Sequence, residues 1–201
     1  SRMAIIIKHY LADALIELSL ERPLSKITVR DITSKIGAGR QTFYNHFKDK
    51  NDLIYYIFLQ TLAGERDILE TSGFYAYLVA LYAKAQKNSH FFKEAVKLTG
   101  QNSLAEAIYN QTYKYYKRCI QRYSGQTEID DQMEYALQFN ACGASNLYIK
   151  WAEAGMPGSA TEQASYALHC IPECIKQYLP LADKGNDELS VWPIDVLQKP
   201  S

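Results

Sequence analysis

The sequence has little cysteine, no long apolar run and no net charge. Each of these features limits the classes of protein to which the chain can belong. Its four cysteines are too few and too unevenly spaced for a secreted disulfide framework, namely Cys119, Cys142, Cys170 and Cys174. No apolar stretch approaches the roughly 18–20 residues that span a bilayer, and no leader-peptide pattern opens the chain. We therefore expect a cytoplasmic protein that has no membrane partner.

The net charge of zero hides an uneven distribution along the chain. Residues 1–50 carry 9 basic and 5 acidic side chains, a net charge of +4, whereas the other 151 residues carry 13 basic and 17 acidic, a net charge of −4. Hydrophobic residues make up 47% of the chain, which is enough for a packed core. The amino-terminal end is therefore the candidate for binding a polyanion.

Apolar residues recur at spacings of three and four, and no segment sustains the alternation of a half-buried strand, so the fold class is all-α. Capping and stop signals divide the chain further. They predict helices over residues 3–20, 29–36, 40–47, from 50 to beyond 57, 74–87, 89–98, 103–123, 129–154 and 161–178, the last with a kink at Pro172.

Residues 28–50 have the dimensions of a helix-turn-helix. Thr28 and Asp31 have the spacing of a capping box, and Gly37 suits the left-handed end of a short helix. On a helical wheel of about 100° per residue, Phe43 and Phe47 share the inner side of the next helix. The two short helices are therefore expected to pack together and to leave one polar face outside.

That polar face has the chemistry of a reader of the DNA major groove. An arc of about 140° holds Arg40, Gln41, Tyr44, Asn45 and Lys48. Arginine pairs with guanine and amides pair with adenine, while phenol, imidazole and ammonium groups reach phosphate oxygens. For Lys48, a phosphate contact and a solvated side chain are both open.

These residues resemble the amino-terminal signature of the TetR family of bacterial transcriptional regulators. The resemblance extends over about residues 5–57, and its most specific part is the Tyr-x-His-Phe-x-x-Lys pattern of residues 44–50. It implies base contacts from Arg40, Gln41, Thr42 and Asn45, and phosphate contacts from Thr28, Tyr44, His46 and Lys50. Gly39 and Gln41 differ from the residues common there, which keeps open a co-regulator of the same fold that acts through a protein partner without its own operator.

The resemblance also implies a domain organisation and a function. It implies a three-helix helix-turn-helix DNA-binding domain over residues 1–50 and a larger helical effector-binding and dimerisation domain over 51–180. The prolines and glycine near the end of the chain predict a loose tail over 181–201. The expected function is a ligand-responsive repressor that binds a palindromic double-stranded operator as a homodimer. A small molecule in the carboxy-terminal domain would release it, without a cofactor and without enzymatic activity.

Two apolar stripes are candidates for the dimer interface. Residues 129–154 and 161–178 repeat apolar positions at three- and four-residue spacing, namely Met133, Leu137, Ala141, Ala144, Tyr148 and Trp151, then Ala164, Leu168, Ile171, Ile175 and Tyr178. Two copies of such a helix pair can form a four-helix interface. The alternative is that both stripes belong to the core of a single chain.

Tyrosines concentrate in the carboxy-terminal part, where 14 of the 16 lie after residue 50. Phenols suit ligand pockets, because each offers apolar area and one hydrogen-bonding group. The candidate pocket residues are Tyr109, Tyr113, Tyr116, Tyr148 and Trp151, and a plain aromatic core is the alternative. Nearby, residues 151–156 and the capped helix after them resemble the branch of the family related to dihydroxyacetone kinase activators.

The sequence offers little support for a metal site or a catalytic site. His169, Cys170 and Cys174 share a helical spacing that suits a metal ion, but Pro172 interrupts it and no fourth ligand is near in the sequence, so we expect no metal. The four histidines have no neighbouring nucleophile and carboxylate pattern, and no phosphate-binding glycine loop occurs. The sequence therefore favours a binding protein over an enzyme.

Overall fold

The computed structural model describes residues 1–63, 66–98 and 104–180, and within these ranges the chain forms ten α-helices and no strand. The helices are α1 (Arg2–Glu21), α2 (Val29–Lys35), α3 (Arg40–Tyr44), α4 (Lys50–Ala63), α5 (Arg66–Gln86), α6 (Ser89–Ala95), α7 (Leu104–Ser124), α8 (Asp131–Glu153), α9 (Ala160–His169) and α10 (Glu173–Lys176), with a 3-10 turn at Leu24–Lys26. The all-α prediction is confirmed. None of the described helices is long and apolar enough to cross a bilayer.

The amino-terminal helices form where local signals place them. The backbone N–H of Asp31 donates to Thr28 Oγ1 at 3.1 Å, and the N–H of Thr28 donates to Asp31 Oδ2 at 2.7 Å, which completes the predicted capping box of α2. Gly37 follows α2 with a φ of 68°, a conformation that glycine adopts without a Cβ clash. Asp49 Oδ1 accepts the N–H of Asp52 at 2.8 Å and so caps α4.

Helix α3 is shorter than the predicted 40–47. It ends at Tyr44, and the chain continues through a tighter turn in which the N–H groups of His46 and Phe47 both donate to the carbonyl of Phe43, each at 2.9 Å. This turn still carries Phe47 to the inner side. The burial pattern that the wheel predicts therefore persists although the regular helix has ended.

The helices of the carboxy-terminal part pack in pairs. α7 lies along α8, and α5 lies along α9. α4 contacts α1, α5 and α7, and α6 contacts both α1 and α8, so these two helices join the amino-terminal part to the rest. The backbone N–H of Phe74 on α5 donates to the carbonyl of Pro180 at 2.8 Å. This hydrogen bond holds the last described residue against α5.

Gly73 and Pro172 interrupt two of the helical segments. Gly73 leaves helical geometry at φ 84° and ψ 179° and divides α5 at a kink, which agrees with the predicted start of a helix at residue 74. Pro172 breaks the last predicted helix into α9 and α10 instead of kinking it, since it starts α10 as a cap with extended backbone. The predicted tail, residues 181–201, lies outside the described residues.

The two apolar stripes named as candidates for the dimer interface pack inside the single chain, which corrects the choice of interface residues, while the pairing of two copies through these helices stays a prediction. Leu137, Ala141 and Ile175 are fully buried, and Tyr148 and Trp151 retain only 6% and 7% exposure. Helix periodicity identifies the apolar face of α8, but it does not identify the partner. Here the partners are helices of the same chain, which leaves the opposite faces of α8 and α9 outward.

Candidate functional site

The outer face of α3 is built around a pair of buried phenylalanines. Phe43 and Phe47 are 0% and 1% exposed, and their ring centroids lie 5.8 Å apart. Phe47 also lies 5.4 Å from the ring of Tyr56 on α4, which fixes α3 against the core. All five side chains predicted to face outward are exposed, namely Arg40, Gln41, Tyr44, Asn45 and Lys48.

Four of these side chains form two pairs along the helix. The Arg40 guanidinium lies 6.0 Å from the centroid of the Tyr44 ring, within reach of a cation–π contact. Gln41 Nε2 donates to Asn45 Oδ1 at 3.0 Å, so the two amides are bonded to each other. Each pair joins positions one helical turn apart, which keeps all four groups on a single surface.

The start of α2 and the start of α4 lie together beside the outer face of α3 and form one edge of the same surface. Lys50 Nζ donates to the backbone carbonyls of Leu24 and Ile27, the latter at 2.9 Å, and so lies beside the residue that precedes Thr28. Burial lowers the pKa of the Lys50 ammonium. The structure thus brings Lys50 and Thr28 together although they are far apart in sequence.

The Thr28 hydroxyl is already engaged in capping α2, since it donates to Asp31 Oδ2 at 2.8 Å. The backbone N–H of Thr28, followed by its hydroxyl, lowers the pKa of the Asp31 carboxyl, and the Arg22 guanidinium 3.6 Å away acts in the same direction. A second ion pair of 3.1 Å joins Lys35 to Glu17. Together these contacts hold α2 against α1.

The remaining predicted DNA contacts, Thr42 and His46, are half-buried at the margins of the surface. Gly39, which differs from the family pattern, has an ordinary φ of −89°, and a Cβ at this position would meet nothing within 4 Å. Neither backbone conformation nor packing therefore requires glycine there. The departure at this position leaves the fold of the motif unchanged.

The carboxy-terminal part contains a cavity of about 390 Å³, within the range of small-molecule sites. Side chains of α4, α5, α7, α8 and α9 line it, together with Ile171 after α9. The lining is rich in rings: Phe74 stacks on Tyr115 with centroids 5.8 Å apart, and Phe58 meets Tyr148 edge to face at 6.3 Å. The cavity thus lies against α4, the helix whose first residue is Lys50.

The five candidate pocket residues divide between the cavity and other places. Tyr116 and Tyr148 line it, whereas Tyr109, Tyr113 and Trp151 do not. Tyr113 stacks on Tyr109 at 6.2 Å and donates to Glu134 Oε1 at 2.6 Å, so these two phenols face the edge of α8. Trp151 Nε1 donates to the carbonyl of Pro157 at 2.9 Å and packs behind Tyr82 and Tyr148.

Sequence reasoning missed the polar residues of the cavity. Gln111 lies on the buried face of α7, where its neighbours in register are Ile108 and Tyr115. A glutamine at an otherwise apolar helical position was the available signal. Asn140, between the buried Leu137 and Ala141 of α8, lines the same cavity.

The opening of the cavity lies between α8 and α9. Several lining residues are also exposed on the outer surface, namely Phe139, Gly143, Leu147, Tyr166 and Cys170. Their outward neighbour on α8 is Tyr135, 71% exposed, whose ring stacks on that of Phe139 at 6.5 Å. The faces of α8 and α9 that do not pack within the chain therefore surround the cavity mouth.

The described residues contain no group of three His, Cys, Asp or Glu side chains that could hold a metal ion. His169, Cys170 and Cys174 are all exposed. The break of the helix at Pro172 separates Cys174 from the other two residues. These three residues therefore do not form a metal site in the part of the chain that the structure describes.

The comparisons with known proteins assign the chain. Residues 11–57 match the profile described as bacterial regulatory proteins of the tetR family, and residues 73–171 match the profile described as a transcriptional regulator C-terminal region. The chain belongs to the TetR family. This TetR-family chain is a transcription factor by its two domain matches and not an enzyme.

A solved structure supports the same fold for this TetR-family chain. The structure is the dihydroxyacetone kinase operon activator DhaS, at 19% identity and a TM-score of 0.63, and the match covers 87% of this chain and 99% of that one. At this identity the likeness shows the shared fold. No curated protein matches the sequence.

Proposed function

We propose that the chain is a homodimeric, ligand-responsive repressor that binds a palindromic DNA operator through α3. The observation that carries the proposal is the pairing of two buried phenylalanines with five exposed polar side chains on one five-residue helix and its following turn. A short helix anchored in this way can enter the major groove and present its side chains to base edges.

The proposed DNA contacts fall into two groups by their place on the surface. Arg40, Gln41, Thr42 and Asn45 are proposed to contact bases, because they lie on or beside the outward face of α3. Gln41 and Asn45 would exchange their mutual hydrogen bond for bonds to base edges. Tyr44, His46 and Lys48 are proposed to contact phosphates along the margins.

Lys50 and Thr28 are proposed to contact one phosphate together. An ammonium has three donors, and the carbonyls of Leu24 and Ile27 take two of them, which leaves one for a phosphate oxygen. The position at the start of α4 adds the favourable helix dipole. The Thr28 hydroxyl would exchange its bond to the Asp31 carboxylate for one to the phosphate.

The proposed dimer pairs the outward faces of α8 and α9 from two copies. These faces hold large apolar side chains at high exposure, with Phe139 at 72%, Tyr166 at 63% and Leu147 at 56%. A contiguous apolar surface of this kind is typical of an interface. In this proposal residues 1–50 form the DNA-binding domain and residues 51–180 bind the effector and dimerise.

The proposed switch couples the cavity to the dimer. A ligand that enters between α8 and α9 contacts residues of the pairing face, such as Phe139 and Leu147. It also contacts Phe58 on α4, the helix that begins at Lys50. A ligand that binds better to one dimer geometry shifts the population toward that geometry, and the spacing of the two α3 helices changes with it.

The direction of regulation is part of the proposal. We expect ligand binding to release the dimer from DNA, so that the free dimer represses its target. DhaS is named as an operon activator, which makes activation the opposite outcome to test. A reporter gene placed behind the operator decides between them: repression predicts that deleting the regulator raises expression.

The experiment that tests DNA binding compares the unaltered chain with Lys50→Ala on DNA from its own upstream region. We expect retention of a palindromic fragment, with affinity that falls steeply as salt rises. Lys50→Ala should weaken binding to all sequences about equally and reduce the salt dependence by about one ion. If no DNA is retained but a protein partner co-purifies with the chain, the co-regulator function replaces this proposal.

A further inference from the structure

The cavity lacks charge on every side that the structure describes. Among its described lining residues none is Asp, Glu, Lys, Arg or His. Burial raises the pKa of Tyr82 to about 12 and raises those of Tyr116 and Tyr148 further, so these phenols stay neutral at physiological pH. A charged ligand would lose its hydration here without gaining an opposite charge.

Three residues of the cavity lining each carry a buried polar atom without a hydrogen-bond partner. Gln111 is 8% exposed; its Nε2 donates to Tyr55 Oη at 3.0 Å, while its Oε1 is buried and has no partner. Asn140 Oδ1 and Tyr148 Oη are buried in the same way. Native interiors rarely leave such atoms unpaired, so each of them calls for a partner that the described residues do not supply.

The bond to Tyr55 gives the Gln111 amide a defined orientation. Tyr55 belongs to α4 and Gln111 to α7, so the bond joins two helices that pack against each other. With the nitrogen held by the phenol, the oxygen is the end that remains for a ligand. Around it the wall is aromatic, including Phe74, Tyr115 and Phe58.

From these observations we infer that the cavity binds an uncharged, ring-containing ligand that donates a hydrogen bond to Gln111 Oε1. The inference rests on the proposed function, which makes the cavity an effector site, and it adds the chemical class of the effector. Apolar rings fill most of the volume, and the single donor satisfies an otherwise unpaired acceptor.

Four naphthalene derivatives test this class by calorimetry on the full chain. 2-Naphthol is neutral with one donor, 2-methoxynaphthalene is neutral without a donor, and 2-naphthoate and 2-naphthylmethylammonium carry opposite charges on the same rings. We expect 2-naphthol to bind the unaltered chain at least about tenfold more tightly than either charged compound, because nothing in the lining compensates a charge.

Gln111→Met tests the hydrogen bond, since methionine has similar length and no comparable acceptor. We expect the affinity for 2-naphthol to fall roughly 2- to 12-fold, the range of one net hydrogen bond, and that for 2-methoxynaphthalene to hold or rise. Gln138→Met is the matched control, because Gln138 is exposed on α8 and does not line the cavity. The comparison of charged and neutral probes needs no variant, so it stands even if Gln111→Met fails to fold.

The outcomes separate this inference from the function it rests on. Equal or tighter binding of a charged probe, the absence of binding by every probe, or a Gln111→Met variant that keeps its preference for 2-naphthol would overturn the ligand class. DNA retention by the same samples then still supports the regulator. If the unaltered chain instead binds 2-naphthol as expected but retains no DNA, the proposed function alone is overturned.

Discussion

Arg40 is the residue on which base selectivity is expected to depend most. It is exposed at the first position of α3, and its guanidinium is supported by the Tyr44 ring 6.0 Å away. Guanidinium can pair with guanine through two hydrogen bonds, which alanine cannot reproduce. Its proposed role therefore differs in kind from that of Lys50, whose ammonium donates to two backbone carbonyls and is proposed to contact a phosphate.

Arg40→Ala is expected to lose about 1–3 kcal/mol of discrimination at one base pair of each half-site while binding to other sequences changes less. Fluorescence anisotropy with an operator and its single-base variants measures the loss. Arg30→Ala, which removes an exposed arginine from α2, is the control and should leave base preference unchanged. Equal preference in Arg40→Ala and the unaltered chain would show that α3 does not read bases through this residue.

Asp31 links the stability of α2 to pH. Its pKa lies below the ordinary value of 3.8, because it accepts hydrogen bonds from the N–H and hydroxyl of Thr28. The stabilisation by the lowered pKa is fully present above about pH 3.8 and is lost as the pH falls through the lowered value. Asp31→Asn keeps an oxygen that can cap the helix, but it does not titrate.

Urea unfolding at several pH values is expected to show that Asp31→Asn is less stable than the unaltered chain at pH 7 and that the difference shrinks below pH 3.8. Glu162→Gln offers a parallel case in the capping box of α9, where the pKa of Glu162 lies below 4.5 for the same reason. A difference that stays constant from pH 7 to pH 3 would contradict the role of the Asp31 charge.

At the scale of helices, α4 is the element that joins the two sites. It begins with Lys50 at the edge of the DNA-binding surface, and its Phe58 lines the cavity. Eight residues of helix separate the two positions by about 12 Å. If a ligand shifts α4, we expect the start of α2 to move with it, because Lys50 donates to the carbonyls of Leu24 and Ile27, which precede α2.

Tyr135→Glu tests the proposed pairing of α8 and α9 at a side chain that does not itself line the cavity, although its ring stacks on that of Phe139, which does. Tyr135 is 71% exposed and does not line the cavity, so a carboxylate there is harmless to a monomer but costly in an apolar interface. We expect the dimer dissociation constant to rise at least about tenfold, measured by sedimentation. Tyr10→Glu, which replaces a tyrosine 58% exposed on α1, is the control. A Tyr135→Glu chain that stays dimeric would place the interface elsewhere.

Local signals explain which elements were predictable. Capping residues such as Thr28 and Ser159 act within one turn, so the starts of α2 and α9 follow from sequence alone. The apolar stripe of α8 was also visible, but Leu137 and Ala141 look the same whether they meet their own chain or a second copy. Gln111 was missed because its function depends on which helices surround it, and only the packed structure supplies that information.

At the scale of the whole molecule, the charge distribution and the two sites form one arrangement. The segment with net charge +4 carries the surface formed by α2, α3 and the start of α4, and the segment with net charge −4 carries the uncharged cavity. We expect the basic segment to lie nearest the phosphates and the acidic remainder to limit non-specific adhesion to DNA. A net charge of zero is compatible with a DNA-binding protein because the charge is distributed unevenly along the chain.

The most direct test of the account is selection of bound sequences from a pool of random double-stranded DNA by the full chain. A dimer that reads DNA through two copies of α3 predicts enrichment of an inverted repeat whose half-sites are centred about one helical turn, or 10–10.5 base pairs, or a multiple of this, apart. The Arg40→Ala chain should enrich the same spacing with a weaker consensus at one position. Enrichment of no sequence, or of a single half-site without a repeat, would contradict the account.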